Sequence, residues 1–290
     1  MKTQQITLKL LFLTALVALP ACISQAATVS IEDWYAINSN ANATIAGGNT
    51  TSPDYQNNNS QNINRIFSYF GNQTLADGDK WTLSFSLTLT LAGSNTTKTF
   101  KDFRYGLFEA NTPHATTSTF GADRVSSSGS YSANWKGFLL RDPGNASGDM
   151  RIYRKAGTGN ETFSAVGDSN ANATLGTTGN YSFIFTDGVA REFTFILQRS
   201  GSDLLLSGSY GTGNFSGMMT GAFTGGTYDV FDVFGFYAAA QDNVDIDNAL
   251  FSNVSLNIVP EPQVAGLLVV GLLALSGIAV RKKRMRGFES

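Results

Sequence analysis

The stretch WTLSFSLTLTL, residues 81–91, alternates apolar and polar side chains without interruption. Its apolar positions are Trp81, Leu83, Phe85, Leu87, Leu89 and Leu91. Thr or Ser fills every position between them. Because successive side chains of a strand point to opposite faces, this period of two predicts a strand with one buried face and one solvated face.

Outward from this stretch, most of the region 27–258 shows the same strand-like character. Residues 181–211 predict three strands, with Asp187-Gly188 and Ser200-Gly201 as the turn residues between them. Further strands are predicted at 232–240 and 249–259, and near 100–109, 135–140 and 149–155. No segment of this region shows a helical stripe with caps.

Many short strands with Gly-rich turns favour an all-β fold, an antiparallel two-sheet sandwich formed by residues 27–258. The order and spacing of five motifs resemble a concanavalin A-like jelly roll, and the resemblance implies that topology. The motifs are FRYGLF (103–108), GFLLRD (137–142), YSFIFTDG (181–188), FGFYA (234–238) and NALFSNVSL (248–256). Residues 38–62 are rich in Asn, Thr and Ser, and we expect a long loop or a weakly ordered edge there.

The predicted sandwich is acidic, which limits its partners. Residues 27–258 carry 13 Lys and Arg against 20 Asp and Glu, a formal charge of −7. The other seven cations of the chain lie in the two terminal segments. Since nucleic-acid binding needs clustered cations, nucleic acid is not expected as a partner.

Residues 1–26 have the three parts of a secretory signal peptide: Lys2 and Lys9, an apolar run over residues 10–19, and small residues before a predicted cut between Ala26 and Ala27. The only cysteine, Cys22, lies in this segment within LPAC, residues 19–22. Acylation of Cys22 as a lipoprotein is the alternative to ordinary removal of the leader. In the favoured case the mature protein has no thiolate with which to bind a metal.

The C-terminal segment, residues 259–290, predicts a transient membrane attachment. Residues 264–280 are uncharged, and as a helix they would span about 26 Å. A basic cluster follows, formed by Arg281, Lys282, Lys283, Arg284 and Arg286. Because cationic residues stay on the cytoplasmic side, the sandwich is expected outside, as in a type I membrane protein. Pro260 and Pro262 hold the preceding peptide stiff and extended.

The order of Pro260, Glu261 and Pro262, an apolar helix and a basic tail resembles the PEP-CTERM sorting signal. That resemblance implies recognition and cleavage near the tripeptide by exosortase, a membrane peptidase of Gram-negative bacteria. It also implies passage from the inner membrane to the cell surface or the extracellular space, in the setting of exopolysaccharide and biofilm. The resemblance covers about 30 residues and says nothing of the sandwich.

Signals for catalysis are weak in this chain. The only histidine, His114, lies in a polar segment and predicts an exposed loop residue, which argues against a His-dependent triad. The Glu-x-Asp-x-Glu run of jelly-roll glucanases does not occur. Asp242, Asp245 and Asp247 form a candidate Ca²⁺ site, with a solvated strand entry as the alternative.

Three functions remain open from the sequence. The first is a non-enzymatic surface or extracellular-matrix protein sorted by exosortase. The second is a carbohydrate-binding module with the same delivery, for which exposed aromatic residues would stack on sugars; the candidates are Trp34, Tyr35, Tyr131 and Trp135. The third is a secreted polysaccharide hydrolase, and the chemistry above favours the non-enzymatic alternatives.

Overall fold

The computed structural model describes residues 26–38, 43–110, 114, 116, 120, 122–126, 132, 134–142, 151–156, 173–174, 183–210, 213–219 and 228–260. By contact density the chain divides into two units. One unit is Ala27–Ile258, and the other combines Met1–Ala26 with Val259–Ser290. Of the second unit, only Ala26, Val259 and Pro260 belong to the described residues.

Seventeen strands are present in the described part of the chain. The first eight are β1 Ala27–Ser30, β2 Asp33–Ile37, β3 Thr44–Ala46, β4 Asp54–Ser60, β5 Ile63–Thr74, β6 Lys80–Leu91, β7 Thr97–Glu109 and β8 Val125–Ser126. The others are β9 Lys136–Asp142, β10 Arg151–Ala156, β11 Ala173–Thr174, β12 Phe183–Thr186, β13 Arg191–Ser200, β14 Asp203–Tyr210, β15 Gly213–Met219, β16 Val230–Ala240 and β17 Ile246–Val259.

These strands form two sheets. The eight-stranded sheet has the order β15-β14-β13-β6-β17-β4-β3, and β1 also pairs with β17. The nine-stranded sheet has the order β11-β10-β9-β7-β16-β5-β2-β8, and β12 also pairs with β7. The described pairs are antiparallel except β2 with β8, which is parallel. The predicted all-β two-sheet sandwich is therefore confirmed, with one parallel pair that the sequence did not indicate.

The main core lies between the two sheets and is dominated by aromatic rings. Phe85 of β6 stacks on Phe193 of β13 at 4.8 Å within the eight-stranded sheet. Phe103 of β7 meets Phe193 from the opposite sheet, with ring centroids 5.2 Å apart. Such pairs add about 0.5–1.5 kcal/mol each beyond the burial of their area. The alternation of residues 81–91 is realised here, because all six of its apolar side chains are buried.

The predicted strands and turns are found close to their expected bounds. Residues 181–211 form β12, β13 and β14, and the turns between them contain Gly188 and Gly201. Both glycines have positive φ, 67° and 60°, a conformation that other residues adopt only with strain. Asp187 also accepts a hydrogen bond from the Leu91 amide at 2.8 Å, which fastens this turn to the end of β6.

The expectation of a long loop over residues 38–62 is wrong for ten of these 25 residues, which lie in strands. Residues 44–46 form β3, an edge strand, and residues 54–60 form β4, which pairs with β17. Polar composition misled the prediction because two of these polar side chains are buried within a hydrogen-bonded group. Asn38 donates to Tyr55 Oη, and Asn57 donates to the Ser60 carbonyl at 2.8 Å. Burial raises the pKa of Tyr55, an effect that the Asn38 hydrogen bond partly offsets.

The two ends of the sandwich lie side by side. β1 pairs antiparallel with the last part of β17, so that Ala27 is opposite Ile258. β17 ends at Val259, and Pro260 follows outside the strand, as expected for a residue without an N–H. The chain therefore enters and leaves the sandwich at neighbouring positions of one sheet.

In the described residues, we find no helix with the length and apolar character needed to cross a bilayer. The predicted membrane helix, residues 264–280, lies outside the described residues, as does most of the predicted signal peptide.

Candidate functional site

The outer face of the nine-stranded sheet, the face turned away from the main core, carries a second group of buried side chains. Tyr35, Phe67 and Phe108 belong to this group, together with Phe120 and Trp135 from the segment between β7 and β9. Phe67 and Trp135 meet edge to face with ring centroids 5.2 Å apart. This part of the outer face is a packed hydrophobic layer.

Beside this layer, strand register places four arginines and a tyrosine in one row across the sheet, here called the arginine row. Its members, in strand order β10, β9, β7, β16 and β5, are Arg151, Arg141, Arg104, Tyr237 and Arg65. The first four positions are directly opposite one another in successive pairs. Tyr237 and Arg65 adjoin at a β-bulge, since Phe236 is opposite Ile66 and the register shifts after it.

Asp102, two residues before Arg104 on β7, supplies a carboxylate to the row. Arg104 donates to it through Nε at 2.8 Å and also through Nη2. Arg141 donates to the same two oxygens at 3.1 and 3.4 Å. The side chain of Arg104 is only 4% exposed, whereas that of Arg141 is 20% exposed. One carboxylate thus orients two guanidinium groups, and the second of them reaches solvent.

Tyr237 lies at the centre of this charge distribution. The Arg104 guanidinium lies over its ring, 5.2 Å from the centroid, in a cation–π contact. Burial raises the pKa of the Tyr237 phenol, Asp102 raises it further, and the positive charges of Arg104, Arg65 and Arg141 act in the opposite direction. Burial lowers the pKa of Arg65, and Tyr237 acts against that change. Three guanidinium groups and one carboxylate therefore act on a single phenol.

His114 occupies the same outer face, at the hydrophobic layer. Its ring stacks on Tyr69 with centroids 4.1 Å apart, and its Nε2 lies 2.8 Å from Asp232 Oδ2. Asp232 also accepts a hydrogen bond from the Ala110 amide at 2.7 Å. The side chain of His114 is 42% exposed, so the predicted exposed loop residue is confirmed. Its contacts with Tyr69 and Asp232 were not predicted.

Asp242, predicted as a calcium ligand, faces a buried ammonium group. Lys98 of β7 is fully buried, and its Nζ donates to Asp242 Oδ1 at 2.7 Å and to the Val244 carbonyl at 2.6 Å. Asp242 Oδ2 accepts from the Thr99 amide at 2.6 Å. The Lys98 ammonium group thus occupies one side of the Asp242 carboxylate. Its hydrogen bonds to Asp242 and to the Val244 carbonyl hold residues 242–244 in place.

The pairing with Lys98 makes a pH-dependent contribution to stability. Burial alone would raise the pKa of Asp242, but hydrogen bonds from Lys98, Thr99 and Val244 and the charge of Lys98 lower it on balance. Because the folded-state pKa lies below the unfolded value of about 3.9, the contribution is complete above that pH and is lost as pH falls through the folded-state pKa. We expect the difference in melting temperature between wild type and Asp242→Asn to shrink on acidification from about pH 5 to about pH 2. A difference that stays constant across this range would contradict the assignment.

The other predicted calcium ligands do not gather around Asp242. Asp245 precedes β17, where its carbonyl accepts a hydrogen bond from the Ala92 amide at 3.0 Å, and Asp247 lies within β17. Among the residues that the structure describes, no group of three or more His, Cys, Asp or Glu side chains is placed to hold a metal ion.

The sorting and processing residues fall at the limits of the described region. Ala26 and Ala27 are exposed, and Ala27 is the first residue of β1. Pro260 directly follows β17, while Glu261, Pro262 and the basic cluster Arg281, Lys282, Lys283, Arg284 and Arg286 lie outside the described residues.

The aromatic residues proposed for sugar stacking are core residues where they are described. Trp34, Tyr35 and Trp135 are 0%, 2% and 1% exposed, and Tyr131 lies outside the described residues. Sequence reasoning missed the arginine row. The only signal for it was that Arg104 and Arg141 sit at polar positions within FRYGLF and GFLLRD, next to residues destined for the core.

Comparisons with known proteins give distant likenesses only. No protein-family model matches the chain, and no curated protein matches it. Among solved structures, the exoplasmic/lumenal domain of VIP36 in its Ca²⁺/Man3GlcNAc-bound form is similar with a TM-score of 0.41 and 9% identity, covering 81% of this chain and 90% of that one. The Emp46p carbohydrate recognition domain is similar with a TM-score of 0.40 and 10% identity, covering 76% of this chain and 88% of that one. Peanut lectin is similar with a TM-score of 0.38 and 10% identity, covering 81% of this chain and 99% of that one. The fold assigned above rests on this chain's own strand pairing.

Proposed function

We propose that this protein is an exported, non-enzymatic polysaccharide-binding protein of the cell surface or extracellular matrix. The observation that carries the proposal is the arginine row on the outer face of the nine-stranded sheet. It combines an aromatic ring with hydrogen-bond donors held in place by Asp102 and by strand pairing. Fixed donors beside an aromatic ring are the groups that orient a polar ligand with little loss of side-chain entropy.

The contacts of two carboxylates on β7, Asp102 and Glu109, support binding over hydrolysis at this face. Asp102 is held by Arg104 and Arg141, and Glu109 forms an ion pair with Lys136 at 2.6 Å. A glycosidase needs one carboxyl group kept protonated as the acid and a second one free to act as base or nucleophile. Asp102 and Glu109 each contact a cation, so neither is placed as that second, free group.

The arrangement of the chain ends supports the proposed delivery. Ala27 follows the predicted signal-peptide cut and is paired with Ile258, one residue before β17 ends. Cleavage at Ala26–Ala27 and near Pro260–Pro262 would therefore leave every described strand whole. In this proposal the chain is a type I precursor in the inner membrane, exosortase cuts it, and the sandwich passes to the surface.

Mass spectrometry of the surface-exposed protein tests the delivery. We expect a mature chain that begins at Ala27 and ends near Pro260–Pro262. A surface form that keeps Arg281–Arg286 would show a stable membrane protein instead, and a lipid-modified Cys22 at the N-terminus would show a lipoprotein.

Binding is tested separately, with the mature protein and a panel of immobilised bacterial and plant polysaccharides. We expect retention on at least one polymer without release of reducing ends. If the protein binds none of the polymers in the panel, the proposed function is excluded. Release of reducing ends would point to the hydrolase alternative.

A further inference from the structure

The predicted processing site directly follows a strand in the interior of a sheet. β17 lies between β6 and β4 in the eight-stranded sheet and runs to Val259, and Pro260 of the predicted tripeptide comes next. Phe251, Val254 and Leu256 of this strand are fully buried in the main core. A cut made a few residues too early would therefore remove part of an interior strand.

β1 covers the end of β17 that precedes this site. It pairs antiparallel with residues 255–258, so that Ala27 is opposite Ile258. Val259 lies beyond this pairing, and its side chain is 47% exposed. Because an enzyme that cuts a peptide must bind it as an extended segment, backbone groups already paired with β1 have to be released first. The covered backbone thus ends where the predicted tripeptide begins.

Contacts along β1 and just after it hold this short strand in place. Thr28 Oγ1 donates a hydrogen bond to Asn257 Oδ1 at 2.6 Å, across the strand pair. Val29 packs against the main core. Ile31, which follows β1, is fully buried, and its carbonyl accepts a hydrogen bond from Trp34 Nε1 at 3.2 Å. All these anchoring residues follow the predicted leader cut, so the mature protein keeps them.

We infer that β1, Ala27–Ser30, acts as a cover strand that protects residues 255–258 from cleavage, so that the fold sets how far into β17 a peptidase can cut. This inference rests on the delivery part of the proposed function, in which the chain is cut near Pro260–Pro262. It couples the two ends of the sandwich, because the first strand after the leader protects the last strand before the sorting tail. The accessible residues then begin at Val259.

Digestion of the detergent-solubilised precursor with proteinase K, a protease of broad specificity, tests the protection without any need for exosortase. Mass spectrometry of the products identifies the new C-termini. We expect C-termini at Val259 or later, and none within residues 255–258 while the sandwich stays folded. Rapid appearance of C-termini within residues 255–258 would overturn the inference.

The surface form of the protein separates this inference from the proposed delivery. A mature chain that ends between Val259 and Pro262 supports both. A mature chain that ends within or before residues 255–258 would overturn the protection and leave the delivery standing. A surface form that keeps Arg281–Arg286 would overturn the delivery, and the digestion would still decide whether β1 protects β17.

Two double variants assign the protection to the backbone pairing of β1. Thr28→Pro with Val29→Pro removes two neighbouring N–H groups, and in an antiparallel pair one of any two consecutive residues directs its N–H to the partner strand. Thr28→Ala with Val29→Ala is the matched control, because it removes the same side chains and keeps both N–H groups. We expect the proline variant to be cut within residues 255–258 about tenfold or more faster than wild type, and the alanine variant to be cut less rapidly than the proline variant.

Melting temperatures show whether each variant is folded. A folded proline variant that resists cleavage like wild type would overturn the role of β1. If the proline variant does not fold, hydrogen exchange of the wild type decides. The amides of residues 255–258 should then exchange about a hundredfold or more slowly than in the unfolded chain, and exchange at the unfolded rate would overturn the inference.

Discussion

Replacement of Asp242 by alanine is expected to destabilise the sandwich by about 3–5 kcal/mol, which is the usual cost when one partner of a buried ion pair is removed. The Lys98 ammonium is fully buried, and Asp242 provides its only described carboxylate contact, at 2.7 Å. Without that carboxylate the charge stays in the interior with carbonyl partners such as that of Val244. For a domain of about 230 residues, the loss corresponds to about 6–20 °C in melting temperature.

The reciprocal change, Lys98→Met, should cost less. Methionine is close to lysine in length and apolar, so it fills the buried position and removes the charge from the interior. The Asp242 side chain left behind is 30% exposed and can be hydrated, although it loses one hydrogen-bond donor. The pair is therefore asymmetric, and Asp242→Ala should be the more damaging of the two substitutions.

Calorimetry of both single variants and of the double variant checks this expectation. In the double variant the buried charge is gone, so it should be more stable than Asp242→Ala alone. Addition of Ca²⁺ to the wild type provides an independent arm, because a carboxylate engaged by Lys98 and Thr99 is not expected to bind the ion. A calcium-dependent rise in melting temperature that Asp242→Ala abolishes would restore the calcium site and refute the Lys98 assignment.

Gly106→Ala is expected to destabilise the nine-stranded sheet by about 1–3 kcal/mol or more, as overpacking does. A Cβ added at Gly106 would lie 2.1 Å from the Phe138 carbonyl oxygen and 2.6 Å from Leu139 Cα. Both are backbone atoms of β9, so neither can rotate away. The two strands must separate at this point, which is two residues from the pairing of Arg104 with Arg141. Binding through the arginine row should weaken together with stability.

Gly71→Ala is the matched control for this substitution. Gly71 lies in β5 of the same sheet, and the nearest atom to an added Cβ is the flexible Gln73 Nε2 at 3.9 Å. Thermal unfolding should show Gly71→Ala within about 1 kcal/mol of wild type, since a compatible Gly-to-Ala change mainly restricts the unfolded chain. Equal melting temperatures for the two variants would mean that β7 and β9 do not approach as closely as described.

The strands with strict alternation were predictable from the sequence because that signal is local. Residues 81–91 needed no partner to be recognised, since each of their six apolar side chains faces the core whatever strand lies beside them. The turns at Gly188 and Gly201 were predictable for the same reason, because these turns need a positive φ and glycine adopts it without strain. Strands without this alternation could not be predicted from the sequence, and β4 is the clearest case. Its Asn57 is fully buried because Ser60 and Asn62 carbonyls accept its hydrogen bonds, which composition cannot reveal.

The sequence alone determined the all-β character of this protein and the period of its strands, because burial of one face imposes a pattern on every strand separately. Only the tertiary structure decided which strands are neighbours, and with that the positions of all the charges. Arg65, Arg104 and Arg141 lie far apart in the chain and share no motif, yet the order β9-β7-β16-β5 sets them in one row. The same long-range pairing places Lys98 beside Asp242, 144 residues away. Pairing partners depend on the combined packing of all strands, and no single segment carries that information.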